Sequence, residues 1–223
     1  STPSNSSAAS DVYKRQLDTY KYILRDDSFF RYYGNTILYS VIGTVISVVC
    51  TALLAYPLSK PKLRLNKFLT PFVVFTMYFT GGLIPNYILI TQWLGFQDSM
   101  LAIVLPGAIS TFNLLVMKSF FAGLPEELEE AASIDGMGTY GIFLKIIIPL
   151  SKPIIATMCL FYLVGMWNEW FGPMMYLETK DKWPIALWVR QLVEGANNTE
   201  IGSSAEASSV QATLKSATMV LTT

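Results

Sequence analysis

Apolar residues in this chain are gathered into long uncharged runs separated by short polar stretches. Residues 36–58 (TILYSVIGTVISVVCTALLAYPL) place 23 positions in a row without a charge. As a helix rising about 1.5 Å per residue, that run is roughly 34 Å long, enough to cross hydrocarbon. A second run covers 68–97 and is broken by Gly81-Gly82 and Pro85. A third spans 99–117, and a fourth begins near Pro153 and continues to about residue 177. Pro57, Pro71, Pro85, Pro106 and Pro173 punctuate the runs, and packed membrane helices tolerate such breaks where neighbours satisfy the freed backbone groups. The pattern predicts an all-α bundle with four spanning helices.

The polar stretches divide the rest. Residues 17–35 read as a polar connection into the first span, and 208–223 start like another helix that stops short of a crossing. Residues 1–16 (STPSNSSAASDVYKRQ) are small and polar with no apolar core, so they form no signal peptide. Within them DVYKRQ matches an in-frame translation of a transposon-end adaptor used in sequencing libraries, and 1–16 is set aside as a non-native tail. Orientation follows from basic residues in short loops. Residues 59–67 carry Lys60, Lys62, Arg64 and Lys67 without an acid, whereas 93–100 has no base. That puts the first loop in the cytoplasm and the second outside, with Lys21, Arg25 and Arg31 diluting the asymmetry.

By the same count of crossings, the segment LPEELEEAASIDGMG (residues 124–138) is cytoplasmic. Pro125 suits a first helical turn, where its missing N–H costs nothing. Glu126 and Glu127 follow, where the helix dipole favours negative charge. Leu124, Leu128 and Ala131 make a narrow apolar stripe beside an acidic one of Glu126, Glu129 and Glu130. Gly136 is placed to end the helix in the left-handed region, and a second helix is predicted over 139–148, closed by Pro149.

Composition agrees with the runs. The 223 residues are 52% hydrophobic and only 14% charged, against roughly a quarter charged in soluble domains. Net charge is zero, which gives no electrostatic case for nucleic acid. There is no histidine, the commonest general base and metal ligand, and no metal site or catalytic residue is predicted. Cys50 and Cys159 lie in apolar runs and read as small buried hydrophobes.

The acidic segment carries a specific spacing: Glu130-Ala131-Ala132, three residues, Gly136, nine residues, Ile146, one residue, Ile148-Pro149. It resembles the cytoplasmic EAA loop of bacterial ABC importer permeases (EAA-x3-G-x9-I-x-LP), with Ile148 where leucine is usual. The resemblance covers residues 17–223 and implies one incomplete permease domain of the type I ABC importer kind. With six helices per subunit in that family, one helix would be missing from the front here and the last would be incomplete. It makes residues 122–149 a coupling helix that docks in a cleft of an ATP-binding cassette subunit, through Glu130, Ala131, Ala132, Asp135, Gly136, Ile146 and Pro149. Small alanines allow close approach, and Glu130 offers a carboxylate to a basic partner. ATP-Mg then belongs to that partner, because no G-x-x-x-x-G-K-[ST] loop occurs in this chain, which binds no cofactor itself. The further partners implied are a second homologous permease in a heterodimer, an extracytoplasmic solute-binding protein and membrane lipid. The implied location is multi-pass in the bacterial inner, or plasma, membrane.

Trp167-Asn168-Glu169-Trp170-Phe171-Gly172-Pro173 interrupts the fourth run. The tryptophans read equally as an interfacial belt, but a carboxylate at this depth is expensive and usually faces a partner or water. The W-N-[ED]-x-x-x-P pattern is similar to that of maltose and multiple-sugar permeases. It implies a carbohydrate path lined by Trp167, Asn168, Glu169 and Trp170, where rings stack on sugar faces and amides take hydroxyls. Asn86, Tyr87 and Asn113 are further path candidates, each read also as an interhelical hydrogen bond. The expected function is a noncatalytic subunit importing oligosaccharides, with amino acids, peptides or polyol phosphates as the alternative cargo. An intramembrane enzyme pairing Glu169 with Asp135 is excluded by the topology, which puts them on opposite sides. A passive channel or scaffold is the remaining reading.

Overall fold

A computed structural model describes residues 27–61 and 66–199. Its helices are α1 (Asp27–Ser59), α2 (Asn66–Tyr78), α3 (Leu83–Trp93), α4 (Met100–Val104), α5 (Thr111–Ala122) and α6 (Glu126–Ile134). They continue as α7 (Thr139–Leu150), α8 (Lys152–Trp167), α9 (Phe171–Tyr176) and α10 (Ile185–Thr199). No strand occurs among the described residues, so the all-α expectation holds. The chain divides into two compact units, one of residues 39–166 and one of 1–38 with 167–223.

The span count changes. Among the described residues one helix, Ser28–Ser59, is long and apolar enough to cross a membrane by itself. Two bent pairs, α2 with α3 at 109° and α7 with α8 at 80°, bring the number to three if each pair is one span. The first bend falls at Gly81-Gly82, where Gly82 has φ 88°, a conformation cheap only for glycine. The predicted third span over 99–117 is split into α4 and α5. Ser99 caps α4 by accepting from Leu101 N–H, and Ser110 caps α5 by accepting from Asn113 N–H at 3.5 Å. Two helix starts within a dozen residues, with Pro106-Gly107 between them, cannot form one rod.

The first helix also starts earlier than expected. Residues 27–35, read as connection, already belong to α1. In the unit of residues 39–166, α1 buries its hydroxyls and shows its aliphatics: Ser40, Thr44, Ser47 and Thr51 are buried, whereas Val41, Val45, Val49 and Leu53 are about half exposed. This inverts the pattern of a water-soluble helix and suits packing in hydrocarbon, where small residues permit close backbone approach. Ala52, Ala55 and Tyr56 of α1 share one core with Leu114, Met117 and Phe121 of α5, Ile142 and Ile147 of α7, and Met158 and Tyr162 of α8. Cys50 and Cys159 are half-buried free thiols.

The other unit is small and aromatic. Phe29, Tyr32 and Ile185 form its buried centre, with Trp183 and Trp188 packed against them. Thr36 ties α1 to α10 here, donating to the Tyr32 carbonyl at 2.9 Å and accepting from Ile185 N–H at 2.8 Å. Residues 1–26, 62–65 and 200–223 lie outside the described residues. They include the N-terminal tail, Lys62 and Arg64 of the basic loop, and the expected final helix.

Candidate functional site

The acidic segment folds as a helix, a glycine turn and a second helix, all within the unit of residues 39–166. Pro125 sits at the N-cap of α6, one position before the expected first turn, and Glu126, Glu127 and Glu129 occupy the positive end of the helix dipole. At the other end Gly136 N–H donates to Ser133 O at 3.1 Å and Met137 N–H to Ala132 O at 3.0 Å. These are the two crossed bonds of a Schellman motif, with Gly136 at φ 79° in the left-handed position. Asp135, directly before it, is the exposed C-cap residue.

The packed face of α6 is not the expected stripe. Ala132 is 6% exposed and joins the core, whereas Leu128 is 42% exposed and Ala131 is also outward. Nor does Glu129 join the solvated acids, because it forms an ion pair with Lys60 at the end of α1. Only about a fifth of each side chain is exposed, at 26% for Lys60 and 17% for Glu129. Tyr56 Oη donates to the second carboxylate oxygen at 3.4 Å, and Lys60 Nζ stands 5.1 Å from the Tyr56 ring centre.

After the turn, α7 runs through Pro149 to Leu150 instead of closing at the proline. Pro149 has no N–H to close a bond onto Lys145, and the helix widens to π geometry over Phe143–Ile147, immediately before it. Ile146 is half-buried against the core, while Ile142, Phe143 and Ile147 are buried. The two helices turn Ile134 (87% exposed) and Tyr140 (81% exposed) outward, beside exposed Glu126, Glu127 and Glu130. Between α6, α7 and the end of α1 lies a cavity of about 510 Å³, lined by Tyr56, Lys60, Glu126, Glu129, Glu130 and Ser133 among others. An exposed isoleucine and tyrosine thus stand near carboxylates on a helix held to the core through Ala132 and ended by the Gly136 turn.

Comparison with known proteins decides the family. The model of the family described as binding-protein-dependent transport system inner membrane component matches residues 43–221. The chain belongs to this family. It is 44% identical to Protein LplC of Bacillus subtilis over 176 residues, which are 79% of this chain and 59% of that protein. It is 45% identical over 177 residues to the polygalacturonan/rhamnogalacturonan transport system permease protein YtcP of the same organism, covering 79% of this chain and 62% of that one. The chain thus spans about three-fifths of the length of these curated relatives. Among solved structures, it matches a bacterial ABC transporter involved in the import of the acidic polysaccharide alginate. That match has a TM-score of 0.77 at 31% identity and covers 91% of this chain and 75% of the other.

The residues expected along a solute path fall into the two units. In the unit of residues 39–166, Asn113 is buried and edges a cavity of about 670 Å³ whose other walls include Phe112, Leu160 and Phe161. Asn86 lines a separate cavity of about 270 Å³ with Leu89, Ile90 and Phe96. Tyr87 is half-buried, and its carbonyl accepts from the Thr91 hydroxyl at 2.7 Å. Asn86 and Asn113 are therefore not brought to one cavity.

In the other unit, Glu169, the residue before the N-cap Trp170, accepts through Oε1 from Gly172 N–H at 2.8 Å and so satisfies a first-turn amide of α9. Trp167 meets Tyr33 edge-on at 5.5 Å, and Asn168 is exposed. Trp170 carries the Arg190 guanidinium over its ring at 3.4 Å. Sequence reasoning missed this stack, as it missed the Arg31–Asp181 ion pair at 2.7 Å. These partners lie too far apart in sequence for a local pattern to announce them.

Proposed function

We propose that this chain is a noncatalytic, membrane-spanning permease subunit of an ATP-driven importer of oligosaccharides. Residues 122–149 face the cytoplasm and dock on a separate ATP-binding cassette subunit that holds ATP-Mg. Residues 17–223 form one permease domain in a multi-pass arrangement in the inner membrane. A second homologous permease completes the path, and an extracytoplasmic binding protein delivers solute. Trp167, Asn168, Glu169, Trp170, Asn86, Tyr87 and Asn113 contribute polar and aromatic contacts along that path.

One observation carries the reading: in a chain of this family, the Schellman turn at Gly136 props exposed Ile134 and Tyr140 beside three outward glutamates. A partner with an apolar cleft and a basic rim fits that surface. The cargo reading is supported by similar proteins that transport polygalacturonan or alginate, both acidic polysaccharides. Oligosaccharides bearing uronate carboxylates are the first candidates over amino acids, peptides or polyol phosphates.

The test is uptake by the complete native complex in proteoliposomes, with and without ATP. The panel holds oligogalacturonates, oligoalginates, maltooligosaccharides, dipeptides and glycerol phosphate. ATP-dependent accumulation of an oligosaccharide supports the reading. Uptake without ATP, or of the non-sugar solutes alone, overturns it.

A further inference from the structure

The ion pair between Lys60 and Glu129 belongs to a longer polar chain. Asn66, the first residue of α2, donates through Nδ2 to Leu58 O at 2.6 Å and to Lys60 O at 3.3 Å. Those are carbonyls at the end of α1, which have no donor within the helix. Thr70, one turn along α2, donates to Asn66 Oδ1 at 2.6 Å, and Lys118 of α5 donates to Thr70 Oγ1 at 2.9 Å. A continuous path of ion pair and hydrogen bonds therefore runs from α6 through the end of α1 and the start of α2 to α5. Every member lies in the unit of residues 39–166.

The four glutamates of α6 differ in what holds them. Glu126, Glu127 and Glu130 are exposed on the face given above to a partner. Glu129 shares a cavity with Glu126 and Glu130 but is half-buried there and is the more enclosed side of its ion pair. Lys60 directly follows the last residue of α1, so the Glu129 carboxylate is bonded to the chain at that helix's end. The one buried residue of α6 is the small Ala132.

We propose that Glu129, with Lys60, is the positioning residue that converts displacement of α6 into movement of α1, and that Asn66, Thr70 and Lys118 pass it to α5. This rests on the importer reading and adds to it the residue through which force leaves the docking helix. In this reading the exposed Glu130 serves docking and the more enclosed Glu129 serves transmission. An ion pair of this exposure biases an equilibrium by on the order of fivefold, enough to set the efficiency of coupling without deciding whether the protein folds.

The experiment uses the complete transporter in proteoliposomes, with an oligogalacturonate as the probe. Uptake, ATP hydrolysis and the amount of ATPase subunit retained are read separately. Glu129→Gln and Lys60→Met are expected to keep the ATPase subunit and hydrolysis within about twofold while uptake falls about fivefold, so ATP spent per solute rises. Thr70→Val is expected to give the same split at smaller size. The exchanged pair, Lys60→Glu with Glu129→Lys, is expected to regain uptake. Parallel loss of assembly, hydrolysis and uptake in the single variants overturns the proposal, as does failure of the exchanged pair to regain uptake, or normal uptake in both singles. Absence of ATP-dependent uptake in the unaltered complex is a different result and counts against the importer reading itself.

Discussion

Thr51 Oγ1 and Tyr162 Oη stand 2.6 Å apart across 111 positions of sequence, with both residues buried. Tyr162 Oη also accepts from Ser110 N–H at 3.1 Å, so one phenol joins α1 and α8 to the start of α5. The two ends of this contact are unequal. Thr51→Val removes one hydroxyl and leaves Tyr162 bonded to Ser110, at a cost of about 0.6 kcal/mol, typical between membrane helices. Tyr162→Phe strands both Thr51 and the Ser110 N–H and costs about 1–3 kcal/mol. Unfolding midpoints of the two variants in mild detergent check the order.

Gly136 and Gly138 lie two residues apart, and neither has an atom within 4 Å of where a Cβ would stand. Space therefore does not separate them, but conformation does: Gly136 is at φ 79° and Gly138 at φ −71°. Gly136→Ala is expected to strain the turn by about 1 kcal/mol, and Gly136→Asn less, because asparagine tolerates the left-handed region. Gly138→Ala is expected to be neutral. Uptake rates that rise in the order Gly136→Ala, then Gly136→Asn, then Gly138→Ala bear this out.

Glu169 satisfies a first-turn amide of α9 through a bond that an amide oxygen can also accept. Glu169→Gln is expected to keep that bond and the thermal midpoint, whereas Glu169→Leu loses about 1 kcal/mol. Solute affinity measured on Glu169→Gln then isolates the charge. A change in affinity with an unchanged midpoint marks the carboxylate as a solute contact, and unchanged values of both leave it as the acceptor of that bond.

Much of the fold was legible where one residue dictates one conformation. Gly136 ended its helix as expected, because the left-handed C′ position selects glycine over every residue with a Cβ. Charge-free length found α1 for the same reason, since hydropathy sums along a chain. Sums are blind to caps, however, and so Ser99 and Ser110 divided a run that composition had joined. The face of α6 was misread because Leu128 outweighs Ala132 on any hydropathy scale, yet Ala132 is the residue that α6 buries in the core. Glu129 read as one acid among four. Its partner Lys60 is 69 positions away, and nothing short of the packed helices brings them together.

Arg190 over Trp170 offers a check on the unit that holds both. Arg190→Lys keeps the charge but loses the planar stack, while the side chain's i,i+4 pairing with Glu194 at 2.8 Å is rebuilt easily. The expected change is a rise in the intrinsic fluorescence response of Trp170 to iodide quenching. Little change in the midpoint is expected, since an exposed cation–π contact is worth about 0.5–1 kcal/mol.

The most direct measurement places single cysteines at Ile134 and Tyr140, with Cys50 and Cys159 replaced by alanine, in the chain assembled with its native partners. The account expects both positions to cross-link to the nucleotide-hydrolysing subunit and to resist a membrane-impermeant thiol reagent applied to intact cells. Labelling of either position from outside the cell, or an assembled complex in which neither cross-links to that subunit, would contradict it.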